Sequence, residues 1–125
     1  MAEVPAGTPS AVAPYVQVLG VDLTVEVLLA LGGSEVYLSP SSNGSSRLAR
    51  IVGREKAAEL AATLGSDRQR RIPTAKAWLA ERLAEQGLPK AEIARRLHVT
   101  DVSVRGWLDR AARRAAGDPR QPRLI

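Results

Sequence analysis

Val18 to Gly32 reads VLGVDLTVEVLLALG, and Ile51 to Gly65, 33 residues further on, reads IVGREKAAELAATLG. Gly20 falls on Gly53, Asp22 on Glu55, Glu26 on Glu59, Leu31 on Leu64 and Gly32 on Gly65, and beyond these stretches Pro40 falls on Pro73. Agreement at so many special positions marks an internal repeat. In each copy a glycine, which lacks a Cβ, breaks a helix. An acid then opens a second helix at the positive end of its dipole, and another glycine stops it. Leu23, Val27, Leu28 and Leu31 in the first copy, and Ala57, Leu60, Ala61 and Leu64 in the second, recur at helical spacing. Each second helix therefore carries an apolar stripe, and the repeat predicts two hairpins that share a core.

Gly32 and Gly33 lead into SEVYLSP (Ser34 to Pro40), where Val36 and Leu38 alternate with polar neighbours and a proline ends the run. This is the pattern of a short strand. The second copy places DRQRRIP (Asp67 to Pro73) at the same point. The two strands are expected to pair antiparallel within the chain, because an unpaired strand leaves an open edge. The polar connector from Ser39 to Ser46 permits it at little entropic cost. Pairing of the strands between two chains is the alternative.

The chain has 125 residues, 45% apolar and 25% charged, with no phenylalanine and only 3% aromatic residues, so its core must be built from Ala, Leu, Val and Ile. Cysteine is absent, which excludes disulfides and thiolate zinc sites, and His98 is the single histidine, so no metal or other cofactor is expected. No Ser/His/Asp set and no phosphate-binding glycine loop is present, and the expectation is that the chain is not an enzyme. Residues 1–14 are rich in Ala and Pro without a basic start, and read as a disordered tail rather than a signal peptide. No apolar stretch is expected to cross a membrane, and the expected location is the cytoplasm of a bacterial host cell. Charge is uneven: residues 1–66 hold four Lys/Arg against six Asp/Glu, net −2, while residues 67–125 hold fourteen against seven, net +7. That asymmetry makes nucleic acid a partner to consider, although a solvated helical surface produces the same excess.

Within the basic half, Ala75, Trp78, Leu79 and Leu83 predict an amphipathic helix from Thr74 to about Gln86, stopped at Gly87. Lys90 to Asp109 then reads KAEIARRLHVTDVSVRGWLD. Pro89 suits the first position of a helix, Leu97 ends it, and Thr100 is placed to cap the next, from Asp101 to about Ala115. Ile93, Leu97, Val99, Val104 and Trp107 are apolar where two crossing helices must meet, and Ala94 is small where backbones come closest. The turn calls for a positive φ at His98, which histidine tolerates better than branched residues do. This is the pattern of a helix-turn-helix, whose second helix lies in the major groove of double-stranded DNA. Thr100, Asp101, Val102, Ser103 and Arg105 are then candidate base readers, with Arg105 suited to a bidentate contact with guanine. Asp101 serves equally well as a helix stabiliser. Lys90, Arg95, Arg96, Arg110 and Arg113 are candidate phosphate contacts, or solvated surface.

The combination of Gly32-Gly33-x-x-x-Tyr37-x-x-Pro40 with a downstream helix-turn-helix resembles the Mor (middle operon regulator) family of phage transcription activators, over roughly Val16 to Ala115. The resemblance implies a helical dimerisation region, a strand after the Gly-Gly, double-stranded DNA as ligand, a homodimer, and RNA polymerase as a further partner. It carries a DNA-facing role onto Glu35 and Tyr37, while Tyr37 also suits a half-buried core position. A second repeat intervenes before the DNA-binding helices here, which makes Arg68, Arg70 and Arg71 better placed for DNA than Tyr37.

The expected fold is therefore mainly α: a helical repeat with short strands over residues 15–73, a helix-turn-helix over 74–116, and a flexible basic tail over 117–125. The expected function is sequence-specific regulation of transcription. The alternatives are a phage packaging or recombination subunit that uses the same helices on DNA, and an adaptor that binds only protein.

Overall fold

A computed structural model describes residues 3–38, 47–65 and 68–117, and the chain divides into two compact units, residues 1–75 and 76–125. The connector at 39–46, Asp67 and most of the basic tail lie outside the described residues. The fold is mainly helical with one small sheet.

The first unit holds α1 (Ala13–Leu31), β1 (Glu35–Leu38), α2 (Arg47–Val52), α3 (Arg54–Leu64) and β2 (Arg68–Arg71). Gly20 interrupts α1 at φ 81°, ψ 168°, and Gly53 separates α2 from α3 at φ 90°, ψ 159°. Both sit in a region of dihedral space that essentially only glycine occupies. At the break the buried Thr24 hydroxyl donates to the Gly20 carbonyl at 2.7 Å. The second halves end at Leu31 and Leu64, and the strands begin at Glu35 and Arg68, again 33 residues apart. α1 packs on α2 and α3, burying Val16, Val27, Leu28, Leu60 and Ala61 between them. Leu23 and Leu64, expected in the buried stripes, are only partly covered.

β1 and β2 pair antiparallel within the chain, with Glu35 opposite Arg71, Val36 opposite Arg70, Tyr37 opposite Gln69 and Leu38 opposite Arg68. The first position of each strand faces the last of the other, so the register has two-fold symmetry. Gly33 N–H donates to the Ile72 carbonyl at 2.8 Å and Ile72 N–H to the Ser34 carbonyl at 2.9 Å, which extends the ladder towards α1. At Gly32 an added Cβ would lie 2.5 Å from the Leu28 carbonyl oxygen, so the chain can turn from helix to strand here only with glycine.

Two expectations for this unit need correcting. Residues 5–12 are not a loose tail: Ala6–Gly7 and Ser10–Val12 form turns, and Val12 is buried. Ala13–Leu31, with 19 residues and a mean hydropathy of 1.5, is long and apolar enough to cross a membrane by length and composition. It is also interrupted at Gly20, and half of its apolar window is buried inside the protein, as befits a core helix.

The second unit comprises α4 (Lys76–Glu85), α5 (Lys90–Leu97) and α6 (Asp101–Ala116), each packed on the other two. Pro89 precedes α5 as its cap, in extended conformation, rather than occupying its first turn. Trp78, Leu79, Leu83, Ile93, Ala94, Leu97 and Val104 form the core. Trp107 was expected there, but it is only partly covered, as are Val99 and Leu108. Trp107 lies three residues beyond the buried Val104, which turns it about 60° from the line that faces the core.

Gly20→Ala and Gly53→Ala should each lower the stability of the first unit by about 1–3 kcal/mol. The two losses should be similar, because an added Cβ meets nothing within 4 Å at either site and only the backbone conformation is strained. Urea titration of the two variants checks this. In the second unit Trp78→Ala should lose about 3–5 kcal/mol, and Trp107→Ala no more than about 1–2 kcal/mol, read by thermal or urea denaturation.

Candidate nucleic-acid interface

The connection between α5 and α6 is three residues, His98 to Thr100. His98 takes the left-handed conformation, φ 57° and ψ 47°, and Val99 N–H donates back to the Ala94 carbonyl at 3.0 Å. This closure satisfies a carbonyl at the end of α5 and reverses the chain sharply. Thr100 caps α6 by accepting a hydrogen bond from Ser103 N–H at 3.2 Å, and the Thr100 hydroxyl also lies 3.1 Å from that of Ser103. Ile93, Ala94, Leu97 and Val104 are all buried. A short turn, a capped second helix and apolar contacts behind it thus fix α6 against α5.

Thr100, Asp101, Val102 and Arg105 are exposed at the first turns of α6, and Ser103 is partly covered by its role in the cap. Val102 is 65% exposed, the most open large apolar side chain among the described residues. Arg105 leans on Asp101 at 3.7 Å, and both side chains are largely in solvent. Such a pair contributes little and is readily exchanged for another anion.

The basic residues divide into two groups. Arg95 and Arg96 both contact the carboxylate of Glu92, Arg96 at 3.1 Å, and these hydrogen bonds hold the Glu92 carboxyl below the usual carboxylate range. Arg114 grips the buried Glu81 at 3.1 and 3.4 Å. Arg82, also buried, reaches Glu85 at 3.0 Å and Glu81 at 3.6 Å, with its guanidinium 5.5 Å from the centre of the Trp78 ring. This network ties α6 to α4, and the sequence pattern gave no sign of it, because charged residues are rarely buried. Lys90, Arg110 and Arg113 are exposed and, among the described residues, form no ion pair.

The strand residues belong to the first unit, and they depart from expectation. Tyr37 is not half-buried: it is 55% exposed on the outer face of the sheet. Arg70 does not face outward. It stands opposite Val36, its Nη2 donates to the Leu64 carbonyl, and its Nε is buried without a partner. Its positive charge lies close enough to Tyr15 to oppose, without cancelling, the rise in the Tyr15 phenol that burial causes. Arg70 is thus committed to the interior, because alternation in this register turns it inward. Arg71 is exposed, but donates to the Gly33 carbonyl at 2.7 Å and meets Glu35 at 3.3 Å. Arg68 pairs with Leu38 in the ladder.

Comparison of the chain with protein-family models, characterised proteins and solved structures finds no match.

His98→Gly should stabilise the second unit by about 0.5–1 kcal/mol, because glycine adopts the left-handed conformation without a steric penalty. His98→Val should destabilise it, since a branched residue fits that conformation worst. Melting temperatures of the two variants in parallel check the turn geometry directly.

Proposed function

We propose that this chain binds double-stranded DNA through a helix-turn-helix formed by α5 and α6, and that it acts as a transcription regulator of phage type, related to the Mor regulators that its strand and helix motifs resemble. The observation that carries the reading is the exposed, capped start of α6, held by the buried side of the His98 turn. Helices that enter the major groove read bases from their N-terminal residues. Those residues here are Thr100, Asp101, Val102, Ser103 and Arg105. Lys90, Arg110 and Arg113 supply charge for phosphates, which positions a protein on the duplex without reading sequence.

The first unit supports a particular form of this function. Two copies of one strand-bearing hairpin close on each other within one chain, so the sheet needs no second subunit to pair its strands. One chain then offers one recognition helix, and its site is short and without two-fold symmetry. A protein that dimerises through its strands would instead present two such helices and select a palindrome.

Selection of bound sequences from random duplex DNA, with the mass of the complex measured alongside, tests this. The expected result is a defined, asymmetric site occupied by one chain. Binding to all sequences alike, in large rings, would make the protein a packaging subunit instead. On the selected site Arg105→Ala should lose about 1–3 kcal/mol of affinity, with little change on unrelated duplex. An equal loss on both would make Arg105 a phosphate contact.

A further inference from the structure

The outward ridge of α6 carries residues that nothing inside the chain explains. Successive helical residues turn by about 100°, so Val102, Gly106, Asp109 and Arg113 all lie within about 40° of the line opposite the buried Val104. A ridge facing solvent ordinarily carries long polar side chains. Val102 is instead a branched apolar residue, 65% exposed. One turn on, about 6 Å along the axis, stands Gly106, and glycine weakens a helix interior more than any residue but proline.

Gly106 has no internal justification. It lies within the regular helix of α6, and a Cβ added to it would meet only the guanidinium tip of Arg110, at 3.6 Å, which is ordinary contact. Alanine would fit and would strengthen the helix. A glycine retained where alanine fits leaves room for something outside the chain to come close to the backbone. Arg105 and Arg110 flank the ridge on its two sides and Arg113 continues it, against the carboxylates of Asp109 on the ridge and Asp101 beside Arg105, which leaves the face net positive and suited to a negatively charged surface. An apolar centre with cationic flanks matches a major groove, where phosphates border base edges and the thymine C5-methyl is the one apolar group. Duplex RNA fits worse, since its major groove is too deep and narrow to admit a helix and its uracil carries no methyl.

We propose that the α6 ridge is a thymine reader: Gly106 lets the helix approach the duplex closely, and the Val102 methyl groups rest on the C5-methyl of a thymine beside the base that Arg105 contacts. This rests on the DNA-binding reading given above and assigns it one base.

The test uses the full chain and its selected duplex, with each thymine replaced in turn by deoxyuridine, which removes only the methyl group. One replacement should weaken binding by about three- to tenfold, and Val102→Ser should bind the two duplexes alike. Gly106→Ala should melt at a higher temperature than the wild type and yet bind the duplex about tenfold more weakly. If every deoxyuridine duplex binds as tightly as the parent, or if Gly106→Ala gains stability and keeps its affinity, the thymine reader is wrong while DNA binding stands. Failure of the wild type to bind any duplex overturns both.

Discussion

The pairing of Glu35–Leu38 with Arg68–Arg71 is the contact on which the first unit depends. Two strands of four residues are marginal alone in water, and neither hairpin buries its apolar stripe without the other. Each strand follows a helical segment that starts after a glycine of positive φ, Gly20 before β1 and Gly53 before β2. Once the ladder closes, with Gly33, Ser34 and Ile72 extending it, Val36 and Leu38 are covered and α3 can pack against β1. Arg70 is drawn inward by the same register. Its guanidinium is then satisfied only in part, through the Leu64 carbonyl, with Nε left without a partner.

Much of this was legible in the sequence, because glycines mark the helix breaks. Gly20 and Gly53 took the predicted role, and the alternation at Val36 and Leu38 marked the first strand. The Thr100 cap and the positive φ of His98 followed from local chemistry alone. What the sequence concealed depends on partners distant along the chain. Arg70 and Arg71 look alike until the register puts one opposite Val36 and the other opposite Glu35. Trp78 and Trp107 both lie on amphipathic helices, yet Trp78 is buried while Trp107, turned about 60° from Val104, is only partly covered. Glu81 is buried with Arg114 of α6 reaching it from across the helix pair, and Arg82 is buried beside Glu81, Glu85 and the Trp78 ring.

At the candidate interface, counting arginines overstates what is available to a ligand. Arg95, Arg96, Arg82 and Arg114 are already engaged with carboxylates. Glu92 sets the terms for the first two: its depressed carboxyl stays ionised down to lower pH than an ordinary glutamate, so the pairing persists above its folded value and is lost as pH falls through it. Exposed pairs of this kind yield easily to phosphate. The side chains left open to a ligand in the second unit include those on the first turns and outward ridge of α6.

Amide chemical-shift mapping of the chain during titration with a short duplex tests the proposed interface most directly. The account predicts the largest changes from Thr100 to Gly106, with smaller ones near Lys90 and little at the sheet. Changes centred on Glu35 to Leu38 and Arg68 to Arg71, or an unmoved start of α6 in a duplex complex, would contradict it.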